Sequence, residues 1–339
     1  MAAAPAPPRL AELDALRGLA ALMVVLFHTT FRAPQLLPGA IPVAHGLSWG
    51  HYGVQLFFAI SGFVILLSLD RTERAADFVV SRVARLYPAY WCAVLLTTFG
   101  VIALGAPQLA QRPLVVAANL TMLHGFLYLP PVDGAYWSLT VELAFYLCMG
   151  VLWRLRLLHR IEAILPGWIA LKLLWWLVPA LPSRPGIVLL QQYVPYFAIG
   201  ICACRVWQGA RSWRGQAPVL LLGLASVALC DDLPHALVYA AIAGLFMALA
   251  AGRLAALAHP VLLHLGALSY PLYLIHENLG IALIARLEAL GASPRLALAA
   301  ALLAAFATAQ LLHDCIEQPA FRAIRRRWRA RSTAPPALA

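Results

Sequence analysis

Residues 13–28 read LDALRGLAALMVVLFH, a run apolar enough to cross a membrane that still carries Asp14, Arg17 and His28. An α-helix turns about 100° per residue, so Arg17 and His28 differ by only ~20° around its axis, with Asp14 ~60° to the other side of Arg17. The three polar side chains therefore form one stripe, in which Arg17 and His28 lie ~16 Å apart along the axis at about 1.5 Å per residue. Lipid cannot solvate such a stripe, so it requires a protein partner or a cavity.

The rest of the chain has the same character. Of its 339 residues 63% are hydrophobic and only 12% charged, with a mean hydropathy of +0.80. A soluble domain carries about twice that charged fraction, so the chain reads as an integral membrane protein. No polar stretch is long enough to build a second domain. The expectation is a single membrane domain over 1–339, with a core at 10–320 and a basic, disordered tail at 321–339. The net charge of +11 does not indicate nucleic acid. Nearly every basic residue is Arg, Lys172 being the only Lys, and the Arg residues cluster between apolar segments as membrane topology requires. The six cysteines have neither disulfide nor zinc spacing and read as buried apolar side chains. The N-terminal MAAAPAPPRL lacks the order of a signal peptide, so the first apolar segment reads as a retained helix.

Apolar runs of ~17–25 residues predict an all-α polytopic bundle of about ten transmembrane helices. Their approximate limits are 12–31, 53–69, 84–105, 136–153, 161–180, 186–207, 217–231, 234–251, 265–287 and 296–316. The seventh and eighth are short and separated by DDLP, which suits a tight hairpin. Residues 113–128 are apolar but short and Pro-flanked, and read as interfacial or re-entrant. With both termini cytoplasmic, one face collects Arg71, Arg74, Arg82, Arg85, Arg154, Arg156, Arg160, Arg205, Arg211, Arg214, Arg253 and the tail RAIRRRWRAR. Far fewer fall on the other, as the positive-inside rule demands.

Polar residues interrupt this background at a few places besides the opening stripe. Arg82 and Arg85 share a helical face at i,i+3 at the start of the third span, and guanidinium groups there suit phosphate. Glu142 lies about two turns inside the fourth span, with Tyr146 at i+4 as a hydrogen-bond partner and Tyr136 and Trp137 as interface anchors. In the ninth span Pro271 allows a kink ahead of Tyr273, His276 and Glu277. In the tenth, His313, Asp314 and Glu317 read as electrostatic matches for Arg322 and Arg325. Together these clusters imply a polar cavity opening towards the Arg-rich face, with no metal-ligand pattern.

The order of these segments resembles the acyltransferase-3 family of integral-membrane acyltransferases. The first helix is followed by GVQLFFAISGFVI at 53–65, then RVARLYP at 82–88, WSLTVELAFYL at 137–147, SYPLYLIH at 269–276 and EQP at 317–319. Two positions depart from the commoner pattern: Ala15, where Gly is usual, and Leu143, where a second acid often follows Glu142. The resemblance implies transfer of an acyl group, commonly acetyl, from acyl-CoA to a hydroxyl of a cell-envelope or secreted carbohydrate or a lipid-linked glycan. It implies a prokaryotic inner membrane as the location and no metal cofactor. By match to the motifs, Arg17, Arg82 and Arg85 are expected to hold acyl-CoA, and His28 to act as general base, a role that suits imidazole. Glu142 is the expected catalytic acid position, and Asp14, Tyr273, His276 and Glu277 are further candidates. Glu142 and Glu277 both stand as the carboxylate that orients His28. The domain is expected to stand alone, without the soluble hydrolase-like domain that some members carry after the last span. A transporter or flippase, using the same buried charges for substrate passage, is the alternative.

Overall fold

The computed structural model describes residues 10–36 and 47–333, and every regular element among them is helical. The first half comprises α1 (Ala11–Phe27), α2 (Ala33–Leu36), α3 (Gly53–Leu69), α4 (Ala75–Ala103), α5 (Pro113–Leu120), α6 (Trp137–Arg154) and α7 (Ile161–Leu177). The second comprises α8 (Ser183–Val188), α9 (Val194–Trp207), α10 (Trp213–Cys230), α11 (Leu233–Ala250), α12 (Pro260–Ile275), α13 (Asn278–Ala289), α14 (Pro294–Leu312) and α15 (Gln318–Thr333). This is an all-α, multi-pass membrane bundle.

Helix occupies each of the ten expected segments, but among the described residues only seven continuous stretches are individually long and apolar enough to cross a membrane. The differences have local causes. The expected span at 186–207 is two pieces, because Leu190 takes a left-handed conformation (φ 59°) between α8 and α9. The expected span at 265–287 is broken between α12 and α13. The short seventh span starts earlier than its apolar run suggests, since Ser212 accepts from Gly215 N–H and caps α10 at Trp213. Its partner α11 begins two residues after α10 ends, capped by Asp232 on His235 N–H. Residues 113–128 form only the eight-residue α5 and a 3₁₀ turn at His124–Leu127.

Three further expectations are corrected. The basic segment after 321, expected to be disordered, is helical as far as Thr333, and Trp328 Nε1 ties it to Asp77 on α4 at 2.6 Å; residues 334–339 lie outside the described residues. Cys315 is exposed, whereas Cys202 and Cys204 are buried. Tyr136 is no interface anchor: it is fully buried.

The centre of the bundle is built on α1, α3, α9 and α12, whereas α4 turns Leu95, Phe99 and Ile102 outward, as a lipid-facing surface requires. The contact that matters most for the site is α1 against α12. A Cβ on Gly18 would meet Gly266 N at 2.7 Å, and a Cβ on Gly266 would strike the Asp14 carbonyl, so only glycine permits this approach. The two helices run parallel, and ten residues beyond that crossing each arrives at a histidine, His28 and His276.

The loops expected at the cytoplasm lie together at one end. Arg205, at the end of α9, reaches Asp70 after α3 and Glu162 at the start of α7, both at 3.4 Å, and Glu162 also pairs with Arg211.

Candidate active site

Two cavities lie along the polar stripe of α1. The first is lined by Arg17, Arg82, Arg85, Glu142, Tyr146 and Tyr273 among others. The second is lined by His28, Trp137, Tyr193, Tyr196, Asp231 and His235 among others. Val54 of α3 lines both, so they meet across one side chain. The first lies towards the basic end of the bundle and the second towards the opposite end.

In the first cavity three arginines converge. Arg82 packs on aromatic faces, its guanidinium carbon 5.6 Å from the Phe78 centroid and 5.9 Å from that of Tyr146. Its Nε is buried without a partner. Among the described residues no carboxylate forms an ion pair with Arg17, Arg82 or Arg85. Glu142 is taken up instead by Tyr146 Oη, which donates to it at 2.5 Å, and by Ser61 Oγ at 3.3 Å. Tyr270 Oη donates to the Leu86 carbonyl at 2.8 Å, tying α12 to the helix that carries Arg82 and Arg85.

The second cluster forms where the ninth span breaks. His28 Nδ1 lies 3.0 Å from the Val24 carbonyl and 2.9 Å from His276 Nε2, while His276 Nδ1 lies 2.9 Å from the Tyr273 carbonyl. Carbonyls only accept, so each Nδ1 carries a hydrogen and each Nε2 a lone pair when neutral. His28 Nε2 faces Glu277 Oε2 at 3.3 Å. His28 also opens a π-helical turn, His28–Arg32, a distortion frequent at functional sites. Of the two carboxylates that sequence left open, Glu277 is the one at His28; Glu142 stands with the arginines.

The break is supported from elsewhere in the chain. In a continuous helix Asn278 N–H would bond the Leu274 carbonyl. Here Asn278 N–H donates to Asp133 Oδ2 at 2.9 Å, and Leu274 accepts from Tyr136 Oη at 2.8 Å. Both groups freed by the break are thus satisfied by the segment leading into α6. Tyr273 is held there too, 2.6 Å from Ser138 Oγ and donating to the Ala135 carbonyl at 3.0 Å. Pro271, the expected point of kinking, sits inside an unbroken α12; the interruption falls at His276 and Glu277.

Asp14 lines neither cavity but a surface depression beside Arg17, with Arg85, Asp314, Glu317 and Arg322. The expected matching of Glu317 to the basic tail is replaced by a pair with His313 at 2.8 Å, across a second π-helical turn, His313–Glu317. Among the described residues no group of three or more His, Cys, Asp or Glu side chains could hold a metal ion.

A family model described as an acyltransferase domain matches residues 10–314. The chain belongs to the acyltransferase-3 family. The Streptomyces mycarofaciens protein "Acyltransferase MdmB" is 28% identical to it over 394 aligned positions, covering 97% of this chain and 96% of its own. "Nodulation protein 10" of Rhizobium leguminosarum bv. viciae is 33% identical over 30% of this chain and 34% of its own. "Exopolysaccharide production protein ExoZ" of Rhizobium meliloti (strain 1021) is 30% identical over 33% of this chain and 37% of its own. No solved structure matches. Family membership makes the chain an acyltransferase in place of the transporter alternative.

In this acyltransferase, sequence reasoning missed Asp133, Tyr136 and Asn278. Asp133 had a readable signal, an Asp-Gly turn directly before an apolar span, but nothing local indicates that its second oxygen crosses to Asn278. Gly134 belongs to the same device, because a Cβ there would collide with the Glu277 carboxylate.

Proposed function

We propose that this acyltransferase moves an acetyl group from acetyl-CoA to a hydroxyl of a cell-envelope carbohydrate, in the inner membrane of a prokaryote. The observation that carries the reading is the set of three arginines that form no ion pair among the described residues, in a cavity adjoining that of His28. Such a set suits the phosphates of coenzyme A, which guanidinium groups bind through bidentate charge-assisted hydrogen bonds. The orphaned Arg82 Nε fits an anionic ligand in the same way. A carbohydrate acceptor is favoured by the exopolysaccharide production protein among the relatives.

In this reading Arg82 and Arg85 bind the donor at the basic end and Arg17 receives it further in, with the pantetheine arm directed past Val54. The acceptor hydroxyl loses its proton to His28 Nε2 as its oxygen attacks the thioester carbonyl. Glu277, beside that nitrogen, stabilises the imidazolium that forms. The tetrahedral intermediate collapses, the C–S bond breaks, and the proton passes from His28 to the departing thiolate. The products are an O-acyl ester and coenzyme A. Glu142, hydrogen-bonded to Tyr146, orients the floor of the donor cavity and stands away from the proton transfer. Cationic side chains in the donor cavity oppose the negative charge that develops on the carbonyl oxygen.

The test is transfer of radiolabel from acetyl-CoA in membranes of a host expressing the wild type or His28→Ala at matched protein level. Label is expected in envelope carbohydrate with the wild type. The variant should lose activity about 10²- to 10⁴-fold, the span of a general base. Equal labelling by both removes His28 from the mechanism, and no labelling with any acyl-CoA removes the donor.

A further inference from the structure

The cavity on the His28 side holds a charge pair that acyl transfer as described leaves unused. Lys172, the only lysine in the chain, is 3% exposed on α7, and its Nζ donates to Asp231 Oδ1 at 2.8 Å and to the Gln192 carbonyl at 3.4 Å. Asp231, which follows α10, has a side chain 19% exposed and is the one carboxylate lining the cavity among the described residues. Its Oδ2 has no hydrogen-bond partner among the described residues. Burying an ammonium is costly unless it is paired, so Lys172 both holds Asp231 in place and cancels its charge. Around this pair stand Trp137 and Tyr193, with ring centroids 5.4 Å apart, and Tyr196, whose buried hydroxyl has no partner.

We propose that this cavity is the acceptor subsite, that it takes an uncharged polyhydroxylated ring, and that Asp231 Oδ2 accepts from one of its hydroxyls to set which hydroxyl meets His28. Two features argue for this class. Aromatic faces cover the C–H side of a sugar ring, while the cavity's polar groups (the Asp231 oxygen, the Tyr196 hydroxyl, Gln55 and Gln192) answer hydroxyls. Because Lys172 cancels the charge of Asp231, the pair supplies no counter-ion to an amine or a carboxylate desolvated against it. Lys172 is a positioning residue that acts through Asp231. The inference rests on the transferase reading above.

The experiment measures transfer from radiolabelled acetyl-CoA to cellobiose, maltose, glucosamine and glucuronic acid by the wild type, Asp231→Asn and the double variant Lys172→Met with Asp231→Asn. The double variant removes both charges together and replaces the single one should an unpaired lysine prevent folding. The neutral disaccharides are expected to be used at least ~10-fold better than either charged sugar. Both variants should raise the acceptor KM about 10- to 100-fold, the loss expected for a hydrogen bond to a charged group, with the acetyl-CoA KM unchanged. An equal rise in both KM values, or no change in the acceptor KM, overturns the role of Asp231. Preference for a charged sugar overturns the neutral-acceptor class. Transfer by the wild type to none of the four overturns the carbohydrate reading itself, and this inference with it.

Discussion

Arg82 shows how a single charge is kept available inside a bundle. Phe78 and Tyr146 pack against its guanidinium, which stabilises the cation while its Nε stays without a partner among the described residues. A carboxylate partner would have satisfied it and closed the site to anions. On the proposed reading, Arg82→Ala should raise the KM for acetyl-CoA about 10- to 100-fold, as loss of a charge-assisted hydrogen bond worth ~1.5–3 kcal/mol implies, while the acceptor KM stays constant. Lysine at 82 should restore only part of that loss, because it cannot offer the planar fork. Steady-state kinetics with each substrate varied in turn check both outcomes. The arginines themselves were legible from sequence, since RVARLYP places both on one helical face. That Glu142 joins them, instead of His28, was not: its bond to Tyr146 is local and expected, but Ser61 reaches it only once α3 and α6 are side by side.

Among the elements, the break between α12 and α13 is the decisive feature, and it depends on Asp133. That one carboxylate accepts from Ala135 N–H at 3.1 Å and from Asn278 N–H at 2.9 Å, joining the entry of α6 to the start of α13. Asp133→Ala would strand two buried donors at about 1–3 kcal/mol each. The expected outcome is a lower thermal midpoint in detergent together with a lower kcat, since Glu277 is the residue next to Asn278. Asp133→Asn, which keeps an acceptor oxygen, should recover part of both. An unchanged midpoint and kcat in the alanine variant would mean that the break holds itself. Sequence pointed to an interruption here through Pro271 and located it several residues too early. Helix α12 tolerates its proline and stays helical to Ile275, and the carbonyl and amide left over at the true break are accepted by Tyr136 and Asp133, groups more than 130 residues away.

For the whole molecule, the two cavities occupy opposite ends of the stripe, so on the proposed reading donor and acceptor sites face opposite sides of the membrane if the basic end is cytoplasmic. This predicts a labelling pattern. In a background freed of native cysteines, an impermeant maleimide applied to intact cells should modify cysteine placed at Leu233, the exposed first residue of α11, and spare cysteine placed at Arg156, between α6 and α7. The reverse pattern would invert the bundle. On the proposed reading an acyl group crosses without coenzyme A crossing: the two cavities meet at Val54, and only the thioester end of the donor has to pass it.

What the chain's own order of residues determined is local and periodic: helices from apolar runs, a basic end from the spacing of arginines, and a polar stripe from the 3.6-residue turn of α1. These depend on neighbours a few positions apart, which the backbone holds in fixed relation whatever the rest of the protein does. Which charged groups meet was decided only by the packing of distant helices. His28 meets His276 and Glu277 because Gly18 and Gly266 let two parallel helices approach closely enough for their ends to coincide, and that contact spans nearly 250 residues of chain. A buried polar group takes whichever partner the packed bundle brings within reach, because an unpaired one is too costly to leave. Its partner is therefore a property of the tertiary structure.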